Sequence, residues 1–301
     1  MADVMQAASV NLGAEIFRCP RCHAPLAAAG KCGSCGFEVM SFEGIPVLLA
    51  DPQAVAETIA KAKAQGRASW YEDPHATQLE GPYRHHLRRR RAYLDRVLGE
   101  FTATAKRPLR ALDMGCGDGL HLAWLGGYAD EVWGSDYNLL RLTRAAKSGH
   151  AGRLFLADVT NYPARDEVFD IVFFNHVIEH IPDDRKALAE ARRVLKKDGI
   201  LILGTPNEGA FFWQLAYRLQ PETLRTSDHV HFYTVETLAE RCREAGLSVR
   251  AVERLGWGIP HWSLDARLRQ FKVVDDLFEV LGPRLLPGQA TSLYFVLGKQ
   301  P

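Results

Sequence analysis

The sequence has no long uninterrupted run of apolar residues. Its richest apolar segments, such as Ile200–Leu203 and Ala210–Trp213, fall far short of the about 18 residues that a membrane-spanning helix needs. It also lacks an excess of charge of either sign, with 37 Lys and Arg against 36 Asp and Glu. The overall charge therefore gives no reason to expect nucleic acid as the partner.

The N-terminal residues lack the basic stretch that opens a secretory signal, and they carry acids at Asp3 and Glu15 instead. Cysteine is scarce outside one segment: of the 6 cysteines, four lie between Cys19 and Cys35. Both observations favour a reducing, cytoplasmic location. At 301 residues, 47% of them hydrophobic, the chain is long enough for one large globular domain or two smaller ones.

The cysteine-rich segment contains two Cys-x-x-Cys pairs. Such a pair forms a tight turn that aims two thiolates at one point, and two pairs make the closed four-sulfur set that structural zinc prefers. Disulfides need an oxidising compartment, and a redox pair normally opens a helix, so both alternatives fit less well. We predict a zinc ribbon over residues 1–50, with structural Zn²⁺ held by Cys19, Cys22, Cys32 and Cys35. Chelation is expected to unfold this module alone.

A helical connector is predicted over residues 51–82, followed by an amphipathic helix with a strongly basic start. Five arginines fall between Arg84 and Arg91. One interpretation is a phosphate-binding face for RNA. The alternative is an ordinary solvated helix face whose apolar side packs on the protein. We favour the second interpretation.

From residue 109 onward, short apolar runs alternate with segments of helix length. This alternation predicts a doubly wound, mostly parallel α/β sheet. The predicted strands are Arg110–Met114, Glu131–Ser135, Arg153–Leu156, Val168–Phe174 and Gly199–Leu203, and the clearest helices are Asn138–Lys147 and Asp183–Leu195. Ligands of such sheets bind beyond the carboxyl ends of the strands.

Three glycines, at 115, 117 and 119, follow the first of these strands. They allow close approach of the backbone to a ligand. A dinucleotide motif would need a third glycine at Leu120, and Asp113 just before the glycines suits a cationic ligand better than a pyrophosphate. Asp136, at the end of the second strand, can accept both hydroxyls of a ribose. Asp158, after the third strand, can accept an adenine amine.

These motifs, with the segments FDIVFFNHVIEHI and VLKKDGILILGTPN, resemble the class I S-adenosylmethionine-dependent methyltransferases over about residues 107–203. The resemblance implies a seven-stranded Rossmann-like sheet in a domain spanning residues 83–301, with insertions over the substrate at about 205–234 and 256–291. It also implies S-adenosylmethionine (SAM) as cofactor, bound by Asp113, Gly115, Cys116, Gly117, Gly119, Asp136, Tyr137, Asp158, Val159 and Asn175. The N-terminal segment resembles short zinc ribbons that end in GIPVLL and are found alone or ahead of methyltransferase domains.

Candidate catalytic residues follow the fourth strand, in the segment NHVIEH. His176 and His180 are candidates for a general base or, with Glu179, for metal ligands. For Glu179 and His180 the alternative is bracing of the next helix. Candidate substrate contacts are Asn207, His229 and His231. Five aromatic residues could line an acceptor pocket or belong to the core: Phe211, Phe212, Trp213, Trp257 and Trp262.

The predicted activity is methyl transfer to a small or carrier-bound metabolite of the quinone, lipid, sugar or secondary-metabolite type. This expectation rests on the resemblance of the NHVIEH and TPN segments to quinone-biosynthesis O-methyltransferases. An rRNA or tRNA methyltransferase is the first alternative, because some of these carry an N-terminal zinc module. A non-catalytic protein that docks through the zinc ribbon is the second.

Overall fold

The computed structural model describes residues 6–7, 15–51, 53–54, 81–150, 153–219, 221, 228–259 and 261–300. Most of the predicted connector over residues 51–82 lies outside these ranges. The described strands are β1 (Gln6–Ala7), β2 (Met40–Phe42), β3 (Ile45–Val47), β4 (Arg110–Met114), β5 (Glu131–Asp136), β6 (Leu154–Leu156), β7 (Phe169–Asn175), β8 (Leu195–Pro206), β9 (Leu247–Leu255) and β10 (Ser292–Lys299).

Eight α-helices lie among the described residues. They are α1 (Arg84–Thr104), α2 (Leu122–Leu125), α3 (Leu139–Ala145), α4 (Asp184–Val194), α5 (Phe211–Leu219), α6 (Val235–Glu244), α7 (Trp262–Arg269) and α8 (Lys272–Leu285). Local chemistry sets several of their ends. The Asn138 side chain accepts hydrogen bonds from the backbone N–H groups of Leu140 and Arg141 at the start of α3, and Thr234 forms a capping box with Thr237 at the start of α6.

The chain forms two compact units. The first consists of Met1–His75, Arg107–Phe173 and Ala189–Gly199. Its strands follow the order β1-β2-β3-β6-β5-β4-β7, and every pair from β3 to β7 is parallel. Strands β4 and β6 are almost wholly buried, which explains why they read as continuous apolar runs rather than as alternating ones.

The second unit consists of Ala76–Lys106, Phe174–Leu188 and Ile200–Pro301. In it β10 pairs antiparallel with β8 on one side and with β9 on the other. Helices α7 and α8 occupy the segment between β9 and β10, where the sequence predicts an insertion. A buried arginine, Arg269, joins these helices by donating to Asp265 and Asp275 at 2.9 and 2.7 Å.

The prediction of seven strands was wrong in number, because ten strands are described. The additional three, β1 to β3, come from the N-terminal segment that the sequence indicates as a separate module. Strand β3 adds to the open edge of β6, where Val47 pairs with Leu156 and the Leu48 N–H donates to the Leu156 carbonyl at 2.9 Å. An unpaired strand edge is a ready template for such an addition.

The predicted parallel strands coincide with β4 to β8, mostly to within one residue at each end. The exception is the fifth, which extends from Leu195 to Pro206 instead of from Gly199 to Leu203. The exposed polar residues Lys197 and Asp198 read as a turn in the sequence. At the other end, pairing with β10 from Leu201 to Pro206 prolongs the strand.

Candidate functional site

The glycine loop, residues 115–119, folds over the end of β5. The backbone N–H groups of Gly115 and Cys116 both donate to the Ser135 carbonyl at 2.8 Å. Gly115, Gly117 and Gly119 have φ values of 89°, 52° and 81°. Residues with a side chain rarely adopt this left-handed region, so the loop requires glycine. Cys116 is buried as a small filler among apolar side chains that include Leu122 and Leu139.

Asp113, the penultimate residue of β4, is a buried carboxyl group with an unsatisfied oxygen. Only 2% of the residue is exposed, and its Oδ2 has no hydrogen-bond partner among the described residues. Burial, with a smaller contribution from the charge of Asp136, raises the pKa of Asp113 to about 8. A buried carboxyl in this state is complementary to a cationic ligand, whose charge would favour ionisation.

Asp136, at the end of β5, holds the glycine loop and the start of α3. Its Oδ2 accepts from the Gly117 N–H and its Oδ1 from the Asn138 N–H, each at 2.8 Å. Burial raises its pKa, although these N–H groups and the charge of Arg141 act in the opposite direction. Each oxygen keeps a lone pair for a ligand hydroxyl. Tyr137, the next residue, is 37% exposed.

The remaining residues predicted to contact the cofactor lie after β6 and at the end of β7. Asp158 Oδ1 accepts from both the N–H and the hydroxyl of Thr160, at 2.7 and 2.8 Å, and Val159 is buried. The glycine loop, Asp136 and Asp158 are all in the first unit. Asn175 is in the second unit, where its Oδ1 accepts from the Tyr294 hydroxyl at 2.9 Å.

Sequence reasoning missed one residue at the glycine loop, Arg141 of α3. Its guanidinium lies over Gly117, so closely that a Cβ added there would be 2.6 Å from Nη2. The only signal in the sequence is its position three residues after Asn138, the cap of α3.

His176 follows β7 in an unusual backbone conformation, with φ at 54°. Its N–H donates to the Gly204 carbonyl at 2.8 Å, and its Nδ1 lies 3.3 Å from Glu179 Oε1. Glu179 is 1% exposed, and its Oε2 accepts from the Thr205 hydroxyl at 3.1 Å. Burial acts to raise the pKa of Glu179, but His176 and His180 outweigh it and the pKa is lowered.

His180 and His229 lie side by side in the second unit, with ring centroids 4.7 Å apart. Each ring is held by a carboxylate that sequence reasoning did not single out. His180 Nδ1 is 3.0 Å from Asp228 Oδ1, and His229 Nδ1 is 2.6 Å from Glu208 Oε2. Although burial acts to lower the pKa of His180, the carboxylates of Asp228 and Glu179 raise it.

Two further candidates for substrate contact have structural partners in the second unit. Asn207 is 2% exposed, and its Nδ2 donates to the carbonyls of Gly288 and Ala290 at 3.0 and 2.8 Å. His231 Nε2 donates to the Ile181 carbonyl at 3.0 Å. These bonds brace the loops around the histidines.

Three of the five aromatic residues line a cavity of about 290 Å³. Phe212, Trp213 and Trp257 line it together with residues of α8. Phe211 is 66% exposed, and the side chain of Trp262 lies outside the described part of the chain.

The four N-terminal cysteines converge. Their sulfur atoms lie within 4.8 Å of one another, with Cys19 Sγ 3.6 Å from Cys35 Sγ and Cys22 Sγ 3.5 Å from Cys32 Sγ. Zinc–sulfur bonds of about 2.3 Å place tetrahedral sulfurs about 3.8 Å apart. The cluster is therefore of the size that a four-sulfur zinc site needs, and all four thiols are free of disulfides.

Two of the arginines at the start of α1 have partners within the chain. Arg84 donates to the Gln270 carbonyl at 2.8 Å, and Arg89 donates to Asp275 at 2.7 Å and to Asp276 at 2.5 Å. No described helix has the combination of length and apolar character needed to cross a membrane.

Comparison with known sequences identifies a family. The model described as "Methyltransferase domain" matches residues 83–252, more than half of the chain. A ubiquinone biosynthesis O-methyltransferase of Thiobacillus denitrificans is 30% identical over 148 residues, 46% of this chain and 64% of that protein. A malonyl-[acyl-carrier protein] O-methyltransferase of Hamiltonella defensa is 31% identical over 108 residues, 34% of this chain and 42% of that protein. The chain thus spans less than two thirds of either relative.

A comparison of structures agrees at the level of the fold. The phosphoethanolamine N-methyltransferase 2 of Haemonchus contortus, solved with S-adenosyl-L-methionine, superposes with a TM-score of 0.54 and 17% identity, covering 85% of this chain and 62% of that chain. Since its family model covers more than half of its length, the protein belongs to the methyltransferase domain family and has the Rossmann-like α/β fold of SAM-dependent methyltransferases.

Proposed function

We propose that the protein transfers a methyl group from SAM to an oxygen atom of a small or carrier-bound metabolite. The observation that carries this proposal is the Asp113 carboxyl, buried with one oxygen unpartnered, beside a loop whose three glycines have no side chains to keep a ligand away. SAM is a cation that carries an amine and a sulfonium. The donor set of the site therefore fits it. SAM supplies a methyl group already activated on sulfur.

The chain's own residues bind and orient that donor. Asp113 would pair with the cationic methionine part, above Gly115, Cys116, Gly117 and Gly119. Asp136 would accept the ribose hydroxyls with the lone pairs that Gly117 and Asn138 leave available. Tyr137, Asp158 and Val159 would surround the adenine, and Asn175 would contact the methionine end. Alignment of donor and acceptor can supply most of the acceleration in such a displacement.

On the acceptor side, His176 is proposed to contact the substrate. The two relatives compared above are both O-methyltransferases, one of ubiquinone biosynthesis and one of malonyl-[acyl-carrier protein]. They support an oxygen acceptor on a quinone-like compound or on a carrier-bound acid. A hydroxyl acceptor must lose a proton, and an imidazole held beside Glu179 is suited to receive it. The exposed side chain of Phe211 and the cavity lined by Phe212, Trp213 and Trp257 suit an acceptor with an apolar part.

We also propose that Cys19, Cys22, Cys32 and Cys35 hold a structural zinc ion. Four protein ligands leave no open position, so this ion would take no part in the chemistry. Its contribution would be to the folding of residues that have a small core of their own.

Donor binding tests the first part of the proposal. Titration calorimetry with SAM should give a one-to-one complex with the protein and at least a tenfold weaker one with Asp136→Asn. The matched control is Asp166→Asn, which alters an acid whose side chain is 69% exposed and should bind normally. Equal affinity of the Asp136 variant would contradict the ribose assignment.

The acceptor class is tested with methyl-labelled SAM and a cell extract separated into RNA, protein and small-molecule fractions. Label in small molecules or on a carrier protein, insensitive to ribonuclease, is the expected result. Ribonuclease-sensitive label would instead move the arginines of α1 into the substrate site. Absence of label in every fraction, from a protein that binds SAM, would favour a docking protein over an enzyme.

A further inference from the structure

A second group of metal-ligand side chains lies in the second unit, apart from the four cysteines. Glu179, His180 and His229 each offer one ligand atom, and these three atoms lie within 4.8 Å of one another. We call these three residues the Glu-His-His cluster. Glu179 and His180 belong to a short 3-10 turn, Ile178–His180. His229 joins them from a loop that is hydrogen-bonded to the same turn, since the Val230 N–H donates to the Glu179 carbonyl at 2.8 Å.

Carboxylates behind the two histidines hold them as metal ligands are held. His180 Nδ1 lies 3.0 Å from Asp228 Oδ1, and His229 Nδ1 lies 2.6 Å from Glu208 Oε2. A carboxylate beside Nδ1 favours a proton on that nitrogen, which would leave the lone pair of the ring on Nε2. The same contact fixes the ring orientation and makes Nε2 more basic.

Two of the carboxylates are themselves oriented by a second bond. Glu208 Oε1 accepts from the Tyr217 hydroxyl at 2.7 Å, and Glu179 Oε2 accepts from the Thr205 hydroxyl at 3.1 Å. Glu179 and Glu208 are 1% and 5% exposed. Burial of two carboxylates at one place is costly unless positive charge compensates it. The neighbouring imidazoles supply part of that charge, and a divalent cation would add to it.

We propose that Glu179, His180 and His229 bind one divalent transition-metal cation of the zinc class. Two imidazole nitrogens and one carboxylate oxygen are a ligand set that zinc and its neighbours accept. The set also differs from the four-sulfur cluster in an important respect. Three protein ligands leave a coordination position open, and an open position is what distinguishes a reactive metal site from a structural one.

The open position defines an acceptor class, an inference that rests on the proposed methyl transfer. A cation there would lower the pKa of an acceptor hydroxyl and ease the loss of its proton to the imidazole of His176. The oxygen would then form the new C–O bond with the donor methyl. The C–S bond breaks, and its electron pair stays on sulfur, which becomes a neutral thioether. The preferred acceptors are therefore hydroxyl compounds rather than amines.

Metal binding is tested without donor or acceptor, so that its outcome is independent of the proposed activity. Protein holding one zinc ion per chain in the cysteine cluster is titrated with Zn²⁺ by calorimetry and with Co²⁺ by visible absorption. We expect one further equivalent to bind. The Co²⁺ spectrum should lack the strong thiolate bands of a cysteine site.

Variants test whether the second metal equivalent binds at the Glu-His-His cluster. His229→Ala and Glu179→Gln should each weaken it at least tenfold. Glu208→Gln, which alters only the residue behind His229, should weaken it by about 10- to 100-fold. The matched control is His85→Ala, which alters a histidine of α1 that belongs to neither proposed site. It should bind the second equivalent normally, with circular dichroism confirming that each variant is folded.

Failure to bind a second equivalent would overturn the site, as would equal binding by wild type and His229→Ala. Tight binding combined with metal-independent methylation of hydroxyl acceptors would overturn the catalytic role and leave the site intact. If the protein binds the second metal ion but not SAM, the result would contradict the proposed function and leave the metal site standing.

Discussion

At the scale of single residues, the most informative side chain is Asp113. Its carboxyl is buried, and its Oδ2 has no hydrogen-bond partner among the described residues. Burial raises its pKa to about 8, which means that the protein is destabilised by this group as pH rises from about 4 to about 8. A function that requires a negative charge at this place explains why the chain tolerates that loss.

Asp113→Asn tests the explanation. The variant removes a group whose folded pKa lies above its unfolded value, so the ligand-free protein should be at least as stable as wild type at pH 8 and above, by thermal unfolding. Its affinity for SAM should fall by about 10- to 100-fold, the effect of losing one buried charge pair of about 1.4–2.8 kcal/mol. Asp198→Asn, on an exposed acid, is the control and should change neither quantity. Unchanged SAM affinity in Asp113→Asn would remove this carboxyl from the donor site.

His176 requires a different substitution, because its φ of 54° disfavours alanine. Asparagine tolerates this conformation, so His176→Asn removes the imidazole and keeps the backbone. We expect turnover to fall by about 10²- to 10⁴-fold, the usual contribution of a general base, with SAM affinity retained. The two measurements are steady-state kinetics and calorimetry. His85→Asn, on α1, is the control; equal turnover of the His176 variant would exclude a catalytic role.

At the scale of elements, strand β3 changes the interpretation of the N-terminal segment. The sequence indicates a separate ribbon, but Val47 pairs with Leu156 of β6, and Ile45 and Val47 share one hydrophobic cluster with Cys116 and Leu139. Phe17 is 0% exposed and contacts the rings of Trp133 and Phe155. The ribbon residues are thus part of the core that supports the glycine loop.

Phe17→Ala should therefore destabilise more than the ribbon. Loss of a fully buried phenyl ring costs about 3–5 kcal/mol, and the loss should appear in unfolding followed by the fluorescence of core tryptophans. Leu219→Ala is the control, because this side chain is 73% exposed and its removal should change stability by less than about 0.5 kcal/mol. A core transition that stays at the wild-type position would mean that the ribbon unfolds independently.

The same packing revises the expectation for metal removal. Chelation should now lower SAM affinity as well as unfold residues 15–49, because the cluster under the glycine loop loses its contacts with β3. The experiment is best done with His229→Ala, which lacks the second proposed metal site, and is followed by calorimetry with SAM. Added Zn²⁺ should restore the affinity. Full SAM affinity in the chelated protein would support the module that the sequence alone indicates.

At the scale of the whole molecule, the two compact units divide the proposed work. The first unit contains the glycine loop, Asp136 and Asp158, and the second contains His176 and the Glu-His-His cluster. Each set is held by hydrogen bonds within its own unit. The two ligands are therefore expected to stabilise different parts of the chain.

Hydrogen exchange can show this division. A ligand slows the local openings of the segment that it contacts. SAM should slow exchange in residues 115–119 and 136–138, and a second zinc equivalent should slow it in residues 178–181 and 228–231. His85→Ala should keep both effects and His229→Ala only the first. Unchanged exchange in the glycine loop with SAM present would contradict the donor site.

Much of the proposed donor site could be inferred from the sequence because its residues are local in sequence. Gly115, Gly117 and Gly119 follow a buried strand directly, and Asp136 ends the next strand, so the order of a parallel sheet is enough to bring them together. The four cysteines are likewise local, since two tight turns separated by nine residues define their cluster. For these residues, spacing and secondary structure carry the information.

The tertiary structure alone decided the rest. Glu179, Glu208 and His229 are far apart in sequence, and their meeting depends on the loops that follow β7 and β8 and precede α6. The addition of β3 to the edge of β6 is also non-local, because either strand could pair elsewhere. Sequence patterns report which face of an element is apolar, whereas the pairing of distant edges and loops follows from packing of the whole chain.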